Sequence, residues 1–147
     1  MTISSHEAKL DDVVSFLARN FEITSSPADC FVSIQIERNR KEKSIQRHQE
    51  AYIIWTLSKF RMEECNVKTV PADPSMRLTK AEPTDEKVDC PYREAVESLI
   101  YAAICTCPDI AFAVCQVAQI SSNPNRSNWE AVKRVLAYLK RTLRNGK

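Results

Sequence analysis

The sequence holds a single glycine, Gly146, in 147 residues, where an average domain of this length carries about ten. Glycine gives left-handed turns and helix C-caps at little steric cost. A chain almost without it must turn on Asn, Asp, Ser and Pro, or on residues that suit the turn badly. The shortage also excludes a glycine-rich phosphate loop or a dinucleotide-binding fingerprint. Long apolar runs are missing too: none approaches the roughly 18 residues that a membrane-spanning helix needs. The N-terminal stretch MTISSHEAKLDD has no basic region followed by an apolar one, so no secretory signal is expected, and the protein is expected to be intracellular, with cytoplasm and nucleus left open. Histidine occurs only at His6 and His48. The six cysteines (Cys30, Cys65, Cys90, Cys105, Cys107 and Cys115) never fall in a C-x2-C spacing, so no zinc site is expected. Cys105 and Cys115 lie on apolar patterns, which points to buried reduced thiols acting as small hydrophobes. There is no HExxH, no Ser/His/Asp grouping and no acidic cluster flanked by apolar strand residues, so no catalytic or metal-binding residue is expected.

Charge is present in quantity but unevenly placed. From Asn125 to Lys147 there are seven Lys/Arg against one acid, Glu130, a balance of +6, while the remainder carries −4. The basic C-terminus is the one compositional feature that points to a class of partner. At about 100° per residue, Trp129, Val132, Val135, Leu136, Leu139 and Leu143 cover one arc of a helix, and Lys133, Arg134, Lys140, Arg141 and Arg144 cover another. Such a basic face can follow a phosphate backbone in an RNA–DNA or DNA duplex and makes binding salt-sensitive. It is equally an ordinary solvated face with cations favourably placed near a helix C-terminus.

The expected fold class is α+β. Ser4 to Glu7 reads as a capping box opening a helix with Leu10, Val13, Val14, Leu17 and Phe21 on one stripe and Asp11 and Asp12 solvated near its start. After a loop at residues 24–29, Val32, Ile34 and Ile36 alternate with polar residues as a half-buried strand does. RNRKEK (residues 38–43) is the loop of a β-hairpin completed by Ser44 to His48. Glu50 to Met62 reads as a helix with Ile53, Ile54, Leu57 and Phe60 inward and Tyr52 and Trp55 part-exposed, packing on the hairpin. Residues 64–91, with four prolines and little periodicity, read as an extended linker. Three helices should follow. The first spans Tyr92 to Cys105 with Val96, Leu99, Ile100 and Ile104 on one face. The second opens at Pro108, with Ile110, Phe112, Val114, Val117 and Ile120 dense enough to be buried all round. The third opens on the capping box Ser127-Asn128-Trp129-Glu130.

The strings PYREAV-x-SL-x-Y-x-AICT-x-PDIAFAV and SNPNRS-x-W-x-AVKR-x-L-x-YLK, preceded by IQIERNRKEKSIQRHQEAYI and MEECN-x-x-T-x-PADP, occur in an order that resembles the reverse transcriptase of copia-type retrotransposon Pol polyproteins. The resemblance covers essentially the whole chain. It implies that residues 1–63 are a palm-end helix, the hairpin near the primer terminus and the first thumb helix, that 64–91 link them onward, and that 92–147 form a three-helix thumb and connection segment leading toward an RNase H domain. The family is an RNA-directed DNA polymerase whose YVDD-type motif holds magnesium; by resemblance this chain starts just after that motif. The expectation is therefore a fragment from a retrotransposon, without catalytic residues or cofactor of its own and inactive in isolation. A retained module that binds nucleic acid or protein through the basic C-terminal helix is the alternative, and a piece of a longer polyprotein with its aspartates upstream is a third. The family usually has Gly where this chain has Ser33, Glu97 and Arg141, and Arg where it has Cys107. The sequence leaves the oligomeric state open.

Overall fold

A computed structural model describes residues 7–23, 29–82 and 88–143. Its elements run α1 (Glu7–Asn20), β1 (Cys30–Phe31), β2 (Ile34–Asn39), β3 (Ser44–His48), α2 (Glu50–Lys59), α3 (Tyr92–Cys105), a 3-10 turn (Pro108–Ile110), α4 (Ala111–Ala118) and α5 (Arg126–Thr142). The class is α+β: the strands form one antiparallel sheet in the order β1-β2-β3, and the described residues are otherwise mainly helical.

The hairpin gains a short third strand that the sequence did not announce. Phe31 pairs with Ile34 and Cys30 with Gln35, which leaves Val32 and Ser33 as a two-residue turn rather than the start of β2. Both have positive φ, 49° and 59°. That is the backbone class matching strand twist, and it favours Asn-Gly. A β-branched valine and a serine sit there instead. Across the second turn, Asn39 pairs with Ser44, and the Asn39 side-chain oxygen accepts from the backbone N–H of Lys41 at 3.1 Å and Glu42 at 3.2 Å. This asparagine-based turn closes with Lys43 at φ 50°.

The core is a single cluster shared by α2, α3, the 3-10 turn, α4 and α5. α2 contributes Ile53 and Leu57, and its C-cap Phe60 joins them, while Ile54 is half exposed, because it lies about 100° round the helix from Ile53. α2 ends at Lys59. Arg61 follows in the left-handed region at φ 56°, its N–H reaching Ser58 O at 3.0 Å while Met62 N–H reaches Leu57 O at 2.8 Å. These two bonds are a Schellman C-cap, with arginine in the place glycine normally fills and buried Met62 against Leu57 as its apolar clasp.

α3 has the expected span but a different inner face. Tyr92, Ala95, Val96, Leu99, Ala102 and Ala103 are buried, while Ile100 and Ile104 point outward, Ile104 at 79 % exposure. The buried set still follows the i, i+3, i+4, i+7 spacing, but half of it is alanine, which lets α4 and α5 approach closely. Tyr92 donates to Val117 O at 2.8 Å, joining α3 to α4, and burial pushes its hydroxyl pKa up to about 12. The segment after Pro108 is a 3-10 turn followed by a short helix. Ile110, Val114, Val117 and Ile120 are buried as expected, but Phe112 is 70 % exposed and Cys115 is exposed, so α4 is buried on one side only. α5 begins two residues earlier than the capping box placed it. The cap is Asn125, whose side-chain oxygen accepts from Asn128 N at 3.0 Å, while Ser127 lies inside the helix. Glu130 pairs with Lys133 rather than reaching back.

α1 is amphipathic as read, yet its stripe stays open: Leu10, Val14 and Leu17 are half-buried, and Val13, Phe16 and Phe21 are exposed. None of the described side chains of α1 enters the core cluster. Asp11 and Asp12 are exposed, and the capping residues Ser4 to His6 lie outside the described residues. Cys30 and Cys115 are exposed and the other four cysteines half-buried, with no disulfide among the described residues; the expectation of fully buried thiols does not hold.

Candidate nucleic-acid interface

α5 buries Asn128, Val132, Val135, Leu136, Ala137 and Leu139. The burial of Ala137, about 100° round the helix from Leu136, marks a second cover over the helix. That cover is the segment at residues 65–82, which holds neither helix nor strand but runs along α5 in the reverse direction. Lys140 Nζ donates to Cys65 O at 2.9 Å, and Lys68 N–H reaches Ala137 O at 3.3 Å. Arg134 pairs with Asp73. Asn128 Nδ2 donates to Thr79 O at 2.9 Å, and Asn123 and Ala81 exchange two bonds of 3.1 and 2.9 Å. Ala72 and Leu78 pack on the core beneath. The stretch expected as an extended linker is, over these residues, a strap fastened to the helix.

The strap decides the fate of the basic face. Arg134 is held by Asp73, whose carboxylate is already bonded by the Ser75 hydroxyl at 2.6 Å and the Ser75 N–H at 3.1 Å. The Ser75 bonds first, and then Arg134, hold the Asp73 pKa down to about 2. Lys140 is turned onto a backbone carbonyl. Lys133 remains at the surface, paired with Glu130 at 2.6 Å. Arg141 is exposed and makes no ion pair among the described residues. Arg144 lies outside the described residues. Of the four described cations among the five singled out in the sequence, two serve to fasten the strap, one has an acidic neighbour, and one stands open.

Sequence reasoning missed the roles of Asp73, Asn123 and Asn128, although a signal was present for the first two: Asp73 and Asn123 are specified positions of the strings that carry the resemblance, whereas Asn128 falls on an unspecified one. The pairings join those strings to each other. Cys65 of MEECN meets Lys140 of YLK, Asp73 of PADP meets Arg134 of AVKR, and Asp109 of PDIAF accepts from the Tyr138 hydroxyl of YLK at 2.7 Å. That hydrogen bond, with some burial, raises the Tyr138 pKa.

A second surface carries aromatic rings. Tyr52 of α2 meets Tyr101 of α3 edge-on at 4.9 Å and Trp55 at 6.0 Å, and Lys59 Nζ lies 5.4 Å from the Trp55 ring. The Tyr52 hydroxyl donates to Ser98 O at 3.2 Å, and that of Tyr101 to Val32 O beside the strained turn. Thus Tyr101 packs on the hairpin, whereas Trp55 is 54 % exposed. Rings beside a cation are the elements of a base-stacking surface.

Among the described residues no group of three or more His, Cys, Asp or Glu stands close enough to hold a metal ion, and no helix is long and apolar enough to cross a membrane.

The chain is 35 % identical over 133 residues to the retrovirus-related Pol polyprotein from transposon TNT 1-94 of Nicotiana tabacum, a match covering 86 % of this chain and 10 % of that protein. It is similar to a segment of plant transposon Pol polyproteins. The Pol polyprotein from transposon RE1 of Arabidopsis thaliana is 33 % identical over 111 residues, covering 76 % of this chain and 8 % of that protein. The chain thus spans about a tenth of the length of these Pol relatives. A shorter match, 44 % over 52 residues, is to secreted RxLR effector protein 161 of Plasmopara viticola, covering 35 % of this chain and 37 % of the effector. No family model matches the chain, and no solved structure matches it.

Proposed function

We propose that this chain is a piece of a copia-type reverse transcriptase, the hairpin, thumb and connection portion beyond the catalytic aspartates, and that it has no polymerase activity by itself. The observation that carries the reading is the match of 86 % of the chain to one tenth of a Pol polyprotein, joined to the order of motifs. The interlocking of those motifs supports it: the Asp73–Arg134 and Asp109–Tyr138 pairs make them fastenings of a thumb-like helical body rather than reacting groups. Two-metal phosphoryl transfer needs paired carboxylates on a strand turn. The adjacent acids Asp11 and Asp12 stand instead on α1, exposed. The test is primer extension on an RNA template with magnesium and deoxynucleotides, where no incorporation above the protein-free blank is expected. Incorporation that survives repurification would end the inactive reading, and an in-frame YVDD-type motif in the DNA just upstream would recast the chain as part of a working polymerase.

The second reading, a retained nucleic-acid-binding module, is favoured by the outward Arg141 and Lys133 and by the exposed Trp55 beside Lys59. RNA–DNA hybrid binding, followed by fluorescence anisotropy at low salt, is expected to weaken as salt rises and to drop in Lys133→Glu and Arg141→Glu. Absence of binding at low salt rejects the module.

A further inference from the structure

β3 forms one margin of the sheet, whose strand order is β1-β2-β3. The register decides which of its backbone groups are already used. Ile36 N–H donates to Asp29 O at 2.8 Å, on the β1 side of β2. In an antiparallel ladder a residue turns its N–H and C=O to the same side, and its neighbours turn theirs to the other. Gln35, Glu37 and Asn39 therefore turn toward β3, where they face His48, Gln46 and Ser44. Ile45 and Arg47 lie between those partners and turn their N–H and C=O outward. These groups make no hydrogen bond to another part of the chain among the described residues. Nor is the strand covered: Ser44 to Arg47 are all exposed, Ile45 at 63 %. Such an open edge is a template for one more strand.

Charge narrows what that strand is. Between Arg38 and Arg47 five cations, Arg38, Arg40, Lys41, Lys43 and Arg47, stand against one acid, Glu42, and all are exposed. None of the five is in an ion pair among the described residues. Cations at this density keep two copies of the edge apart, so a second copy of β3 is the wrong partner and an acidic strand the right one. A nucleic acid would also meet the cations. Its backbone, however, has no row of N–H donors for the Ile45 and Arg47 carbonyls, and a peptide backbone has one. The side chains set a pattern as well. Arg38 lies across from Ile45 and Ile36 across from Arg47, so Ile45 and Arg47 share one face of the sheet.

We propose that the β3 edge binds an acidic extended peptide as a fourth, hydrogen-bonded strand. Its backbone pairs with the N–H and C=O of Ile45 and Arg47. On the face those two residues share, an apolar side chain lies beside Ile45 and a carboxylate beside Arg47, two positions apart. The surface is separate from the basic face of α5 and does not depend on the polymerase reading.

The experiment uses the whole chain and a labelled peptide of about eight residues, a usual strand length, with valine and glutamate alternating on one face and threonine on the other. Fluorescence anisotropy measures binding, and NMR-detected hydrogen exchange reads the individual amides. Exchange of the Ile45 and Arg47 amides should slow at least about tenfold when the peptide is present. Lysine in place of glutamate in the peptide, or N-methylation of the backbone amides that would face β3, should each weaken binding by about tenfold or more. Arg47→Glu should do the same. Ile45→Pro removes an outward N–H without removing a ladder bond and should also weaken binding, while the methylated peptide tests the same bonds with the fold untouched. Unchanged exchange at Ile45 and Arg47, or a methylated peptide that binds as well as the parent, would overturn the proposal. So would a thymidine oligonucleotide that slows the same two amides as much as the peptide does, since the edge would then be a site for polyanions in general.

Discussion

At the scale of the residue, the scarcity of glycine is visible as backbone strain. Val32, Ser33, Lys43 and Arg61 all have positive φ, and no glycine does among the described residues. Side chains with a Cβ are held in the left-handed region at a cost of about 1–2 kcal/mol each. Arg61 is the clearest instance, because both Schellman bonds are formed around it; the motif demands the conformation, and the residue resists it. Arg61→Gly is therefore expected to stabilise the protein by about 1 kcal/mol, and Ser33→Gly in the β1–β2 turn by a similar or slightly smaller amount. Urea denaturation followed by circular dichroism measures both. An Arg61→Gly protein with an unchanged or lower midpoint would show that the strain account is wrong. The sequence made the shortage plain but not where it falls, since a left-handed residue is a property of the turn that neighbours impose.

At the scale of the element, the strap is the feature that sequence periodicity could not show. Apolar spacing finds faces of helices and strands, and residues 65–82 have neither; their anchors are single polar groups spread over many positions. α3 was legible in extent and not in orientation, because Ala95, Ala102 and Ala103 give a weak apolar signal beside the outward Ile100 and Ile104. The α5 cap was misplaced for a related reason: Asn125 and Ser127 are both good capping residues, and the choice between them rests on where Asn123 and Asn128 tie to the strap. The strap also carries a pH dependence. Asp73 has its pKa lowered from the ordinary 3.8 to about 2 by the Ser75 and Arg134 bonds. A carboxylate depressed in the folded state stabilises above its unfolded pKa, and that contribution is lost as pH falls through the folded value. The Asp73 share is thus fully present above about pH 4 and fades toward pH 2. Asp73→Asn should flatten the stability–pH curve within that window, while leaving its shape near neutrality unaltered. The check is thermal unfolding in a pH series, and an acid limb as steep in Asp73→Asn as in the parent would exclude the role.

At the scale of the whole molecule, α2 through α5 share one apolar core, and the described side chains of α1 do not enter it. The burial is uneven: the helices from α2 to α5 close on one another, whereas the amphipathic α1 leaves Phe16 and Phe21 exposed. It also tempers what the resemblance meant. Two cations of the basic face, Lys140 and Arg134, hold the helical unit together through Cys65 and Asp73, and the Tyr138–Asp109 bond adds a third fastening. The unit's stability then rests on packing and on those fastenings, with α1 free to open locally. Leu136, fully buried at the meeting of the helices, should cost about 2–5 kcal/mol when changed to Ala. Phe16→Ser on α1 should change global stability by less than about 0.5 kcal/mol. Hydrogen exchange separates the two regions directly, since amides of α1 should exchange through low-energy openings while those of α3 and α5 follow global unfolding. Equal protection of α1 and α5 in the isolated chain would mean that α1 has a packing partner within it, and the account of an α1 outside the shared core would have to be abandoned.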